Sequence, residues 1–245
     1  MSKFPTEVID LPSKGLVYPK EHPLSSGQVE IKYMTAKEED ILTSPNLIEK
    51  GIVLDKLLES LIVTEGVKLE DFVVGDKNTL LVSARILGYG KDYPIKIGDD
   101  EVNVDLTTLK ERWIDEKNLV EKHKNEFKYT TPIGNNEITF SILDGHMEKQ
   151  LEDLNKAYEK AGQSRELTNR YKLIIKSVDG KTQRGEIDDF VDNQFMARDS
   201  MAFRDYVNDI NPDIDFDTKV KMPDGTEQEV TVPMTVRFFW PNASV

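Results

Sequence analysis

The sequence predicts an α+β fold built from two similar small lobes, the products of an internal duplication, each a helical cluster with a short strand and a β-hairpin. Three observations predict it. Short stretches of alternating apolar residues are separated by longer stretches with apolar residues at helical spacing. A strand–turn–strand signal comes late in each half, at Ile95 to Val104 and at Val220 to Val232. The order of these signals in the first half of the chain returns in the second. With 245 residues, 38% hydrophobic and 31% charged, the chain can bury a core and still present much solvated surface.

The first thirty residues, through Leu11-Pro-Ser-Lys-Gly15 and Tyr18-Pro19 to Ser25-Ser-Gly27, are dense in Pro, Gly and Ser, so they read as an extended arm with turns. Val29, Ile31 and Tyr33 alternate with Glu30 and Lys32, the period of a strand. Thr35 followed by Glu38 is the capping-box pattern, which starts a helix near Ala36. After Pro45 and Gly51, the stripe Ile52, Leu54, Leu57, Leu58, Leu61 and Ile62 predicts a core-facing helix. Leu80 to Leu87 predicts a third helix, closed by Gly88 and Gly90. Ile95–Ile97 and Val102–Val104 flank Gly98-Asp-Asp100 as a hairpin, and Thr107 to about Lys122, rich in Lys and Glu, reads as a linking helix.

In the second half, Ile138, Phe140 and Ile142 form a strand. Asp144 caps an amphipathic helix through Met147, Leu151, Leu154 and Tyr158 that ends near Gly162. Leu167 to Val178 contains the apolar Leu173-Ile-Ile175. Ile187, Phe190, Val191, Phe195 and Met196, then Phe203, Tyr206, Val207 and Ile210, follow at helical spacing until Pro212. Val220 and Met222, the Pro223-Asp-Gly225 turn, and Val230 and Val232 make a second hairpin.

Local matches align the halves. Glu30-Ile31-Lys-Tyr33 faces Glu137-Ile138-Thr-Phe140, Leu61-Ile-Val63 faces Leu173-Ile-Ile175, and Glu70-Asp-Phe-Val73 faces Asp188-Asp-Phe-Val191. Arg85 faces Arg204, and Val102–Thr107 faces Val230–Thr235. The offsets of 107, 112, 118, 119 and 128 residues rise steadily, as small insertions in a repeat produce. The expected lobes are residues 1–117, with the arm, and 118–245, with an aromatic tail.

Composition removes whole classes of chemistry. The absence of cysteine excludes disulfides, thiolate nucleophiles and cysteine-based metal sites, and three separated histidines leave little for a histidine site. A net charge of −13 disfavours nucleic acid and anionic membrane surfaces as partners. No stretch approaches the ~20 apolar residues of a membrane span, and Met1–Glu7 lacks the apolar core of a signal peptide, so a cytoplasmic setting is expected. Asp209 to Asp217 places oxygen ligands at alternate positions, but Ile214 and Val220 stand where a calcium loop needs Gly and Glu. No nucleotide-binding loop, nucleophile elbow or His-Glu-x-x-His helix occurs. The expectation is therefore a protein without catalytic residues, cofactor or metal.

The ends are more informative. Phe238-Phe-Trp240-Pro241 serves either as a core anchor or as a partner-binding tail, since aromatics dominate interface hot spots. The apolar arm must likewise dock on its own body or on a neighbour. The partner-contact candidates are Leu11, Leu16, Val17 and Tyr18 in the arm and Phe238, Phe239 and Trp240 in the tail.

Leu11-Pro-Ser-Lys-Gly-Leu-Val-Tyr-Pro19, Tyr33-Met-Thr-Ala-Lys-Glu-Glu-Asp-Ile-Leu42, Arg85-Ile-Leu-Gly-Tyr-Gly90 and the closing Phe238-Phe-Trp-Pro241 together resemble the baseplate hub protein family of T-even-type contractile-tailed phages. The resemblance covers most of the chain. It implies a structural or assembly role at the centre of the tail baseplate, other baseplate and hub proteins as partners, assembly in the host cytoplasm and residence in the virion tail. Some such proteins carry paired cysteines in the hairpins. Here Ile97-Gly-Asp-Asp-Glu101 and Met222-Pro-Asp-Gly-Thr226 stand in those places, so the resemblance implies no zinc. The rival expectations are a transient hub-assembly chaperone absent from the virion, a metal-dependent enzyme using a carboxylate cluster, and a host regulator.

Overall fold

The Pro- and Gly-rich start of the chain is an arm that doubles back on itself. A computed structural model describes residues 5–239, and in it strand β1 (Thr6–Asp10) pairs antiparallel with β2 (Gln28–Lys32), Thr6 opposite Lys32. Strand β1 was not expected from its sequence, which alternates poorly. Helix α1 (Ala36–Leu42) starts at the predicted capping box, with Thr35 N donating to Glu38 Oε2 at 2.9 Å. Helix α2 (Pro45–Glu49) takes Pro45 at its first position, where the missing N–H costs nothing. Helix α3 (Val53–Leu61) buries its predicted stripe at Leu57, Leu58 and Leu61.

Helix α4 (Val74–Tyr89) runs through Gly88 and stops at Gly90. It is buried on several sides, because β-hairpin β3 (Asp92–Ile97)/β4 (Asp100–Asp105) follows it and later segments return to cover it. The linking helix expected over Thr107 to Lys122 does not form. Asp105 and Asp115 each accept a backbone N–H two residues on, setting single 3-10 turns at Leu106–Thr108 and Glu116–Asn118. Between those turns lies strand β5 (Lys110–Arg112).

The second half opens on β6 (Phe127–Thr130) and β7 (Glu137–Phe140), then α5 (Gly145–Lys160), where the Asp144 carboxylate accepts from Met147 N at 2.8 Å as its capping role requires. Helix α6 (Glu166–Ile174) passes directly into β8 (Ile175–Val178), so the apolar run Leu173–Ile175 straddles a helix end and a strand. Strands β6, β7 and β8 form an antiparallel sheet in that order. Helix α7 (Arg184–Asp189) continues into a π-helical turn at Phe190–Gln194, and α8 (Ala197–Ile210) follows. Rings from α8 and the sheet interlock, with Phe140 and Phe203 edge-on at 5.0 Å and Tyr129 stacked on Tyr206 at 4.9 Å.

The last segments return to the first half. Strand β9 (Asp213–Asp215) pairs with β5, and hairpin β10 (Asp217–Lys221)/β11 (Glu227–Thr231) lies by β4. Helix α9 (Val236–Phe239) packs on α4. The acidic run from Asp209 is thus partly a strand, with its carboxylates spread along a ladder. Backbone contact across the middle of the molecule is close. Val73 and Asp144 bridge, with Val74 N donating to Leu143 O at 3.1 Å and Gly145 N to Phe72 O at 3.0 Å. A Cβ on Gly75 would fall 1.7 Å from Pro212 O, so only glycine lets α4 start there. Mixed helices and small sheets make an α+β molecule, and buried apolar side chains of both halves form one cluster.

Candidate functional site

Asp76, in the first turn of α4, is buried completely and reaches into the arm. Ser13 N donates to Oδ1 at 3.0 Å; the Ser13 hydroxyl at 2.6 Å and the Tyr18 phenol at 2.5 Å donate to Oδ2. Tyr18 in turn accepts from Val73 N at 3.1 Å. Burial pushes the Asp76 carboxyl up to about 6 against the pull of these donors, with Asp213 adding a push in the same direction. Burial and the Asp76 carboxylate raise the Tyr18 phenol well above its usual range.

This anchor decides where the expected contact residues sit. Leu11, Val17 and Tyr18 are buried within the chain, and Leu16 is half-buried. At the other end Phe238 and Phe239 are 0% and 1% exposed, while Trp240 lies outside the described residues. The buried ones offer a partner little surface while the arm and α9 stay docked, and Leu16 keeps part of its side chain exposed. Between the two options left open for these apolar ends, docking on the chain's own body is what the described residues do.

The tail is fixed by Arg85, late on α4. Its Nε donates to Phe238 O at 3.0 Å, Nη1 to Gly90 O at 2.8 Å and Nη2 to Asp92 O at 3.2 Å, so the guanidinium ties a helix end, a hairpin and the tail. Tyr89 and Tyr93 lie beside its plane at 5.4 and 5.9 Å. Phe238 packs on Tyr93 at 5.4 Å.

The three histidines, distant in sequence, converge. His22, His123 and His146 line one cleft of about 410 Å³ where the arm meets both halves, together with Tyr18, Asp71, Asp144 and Lys176. His22 Nδ1 accepts from Leu24 N at 3.3 Å, which leaves Nε2 to carry the proton toward Asp71 Oδ2, 3.3 Å away. His146 Nε2 stands 3.5 Å from the other oxygen of Asp71. His123 has positive φ (63°), its amide donates to Leu16 O at 2.7 Å, and its Nδ1 is buried without a partner among the described residues. Lys176 donates to Asn125 O at 2.7 Å, and burial lowers its pKa.

Sequence reading missed this gathering because no local spacing encodes it: the arm, the connection before β6 and the start of α5 bring one imidazole each. The cleft can hold polar groups. Among the described residues no group of His, Asp and Glu has the geometry to hold a metal ion. None of the described helices is long and apolar enough to cross a membrane. Compared with family models, curated proteins and solved structures, the chain matches none of them.

Proposed function

We propose that the chain is a non-enzymatic baseplate hub protein of a contractile-tailed phage, acting in baseplate assembly through protein–protein contacts. One observation carries the reading. The blocks that resemble the hub family are the blocks that build the frame: Ser13 and Tyr18 of the first close on Asp76, Thr35 and Glu38 of the second form the capping box, and Arg85 of the third closes on the Phe238 carbonyl of the fourth. Residues in such a pattern preserve a shape, which is what a subunit fitted between neighbours requires. In this reading the arm and tail hold the outer surface in position, and other hub proteins meet that surface in the host cytoplasm and in the tail.

The duplication belongs to the same proposal, with lobes meeting near residue 117. Its support is the repeated order of elements and one likeness of pairing: β2 is bridged by Ile62, just after α3, in the first half, as β7 is paired by β8, just after α6, in the second, although the residues paired are not the aligned ones.

Deleting the gene from such a phage tests the reading. Infected cells are expected to accumulate peripheral baseplate parts without joined hubs, visible by electron microscopy, and the wild-type gene supplied in trans should restore tails. Normal baseplates without the chain would overturn it.

A further inference from the structure

A chain of net charge −13 gathers three arginines in one groove. Arg165 and Arg170, at the start and middle of α6, and Arg204 of α8 line an open groove of about 860 Å³ with Ser164, Leu167 and Thr168. Three of the other arginines are engaged: Arg85 by three carbonyls, Arg112 by Asn208 O, Arg184 by Asp188. Among the described residues, none of the three groove arginines has a carboxylate within ion-pair distance. Asp192, on the groove wall, is held by Lys172 at 2.6 Å instead. Arg165 lies over the Tyr158 ring at 5.2 Å, a contact that steadies the guanidinium and leaves its five N–H donors open.

Two further features give the groove its character. Leu167 is 40% exposed in its wall. Arg165 occupies the cap position of α6 without a side-chain cap bond, so first-turn amides add positive potential at the same end. We infer that this groove docks an acidic segment of another polypeptide, whose carboxylates take the arginine forks while an apolar side chain covers Leu167.

A polypeptide fits better than a nucleic acid. The groove has three arginines and no lysine, and Glu166 and Asp192 interrupt it, whereas a phosphate backbone needs a continuous basic track. The inference deepens the hub reading by naming the chemistry of one partner surface, and it rests on that reading only in taking the chain to work by binding polypeptides.

The test uses the full chain and fluorescence anisotropy with a short labelled peptide of repeated Asp-Glu-Leu units. Wild type is expected to bind it, more weakly as salt rises, and to bind the same peptide with Leu replaced by Ser more weakly still. The combined Arg165→Glu, Arg170→Glu and Arg204→Glu variant should lose affinity about tenfold or more, while Arg198→Glu, the same charge change on α8 outside the groove, should keep it. Thermal melts of both variants establish that they fold; if the combined variant does not, Arg204→Glu alone replaces it and should still weaken binding. No binding by wild type, equal loss in Arg198→Glu, tighter binding of an oligonucleotide of equal length, or a self-associated dimer that the combined variant splits would overturn the inference. Because no phage component enters the assay, its failure and the failure of the hub reading are separable.

Discussion

Asp76 and Glu38 are both completely buried carboxylates, and their surroundings push them in opposite directions. At Asp76 burial outweighs the donors and raises the pKa from 3.8 to about 6. Its contribution to stability is therefore full below 3.8 and lost as pH rises through about 6, a change of the order of 3 kcal/mol at most. Melting temperature should rise between pH 7.5 and pH 5, and Asp76→Asn should flatten that rise; an unchanged slope would contradict the assignment. At Glu38 burial also pushes the carboxyl up, but hydrogen bonds from Lys32, Ser60 and Thr35 prevail and hold it at about 2. That contribution is present above 4.5 and lost as pH falls toward 2, so Glu38→Gln should cost about 3 kcal/mol at neutral pH in denaturant titrations and much less near pH 2.5. The capping role of Glu38 was legible in the sequence. The buried carboxylate of Asp76 was not, because its partners Ser13 and Tyr18 lie far along the chain and nothing in their spacing points to it.

Elements set by neighbouring residues were read correctly, and those set by distant ones were not. Both hairpins, the Thr35 and Asp144 helix starts and the α3 stripe follow from local chemistry. The segment from Thr107 to Lys122 has helix-favouring Lys and Glu, and Leu109, Trp113 and Val120 would share one helical face. It is held instead by Asp105 and Asp115 turns and by pairing with Asp213–Asp215, which lies about a hundred residues on. Glycine substitutions separate close approach from backbone freedom. Gly75→Ala drives a methyl into the Pro212 carbonyl, so a loss of about 3 kcal/mol or more, or failure to fold, is expected. At Gly88 the obstructing atom is the end of the flexible Met34 side chain, and alanine improves helix propensity by up to about 1 kcal/mol, so Gly88→Ala should be close to neutral. Equal destabilisation of the two in urea titrations would contradict the close approach at α4.

Across the whole molecule, the ends of the chain are fastened to α4, the arm through Asp76 and the tail through Arg85. Arg85→Ala should free the tail before it unfolds the body: limited trypsin digestion is expected to cut after Arg237 while the melt of the remaining chain shifts by only a few degrees. The apolar ends were legible as segments that must dock, but the sequence could not say on what, and the histidine cleft and arginine groove needed the fold to assemble them. The central claim, a protein–protein role in the tail hub, is tested most directly by quantitative mass spectrometry of purified virions beside baseplate intermediates from the same infection. The account predicts the chain in both, at a fixed ratio to other hub proteins. Presence only in intermediates would make it a departing assembly factor, and absence from both would contradict the account.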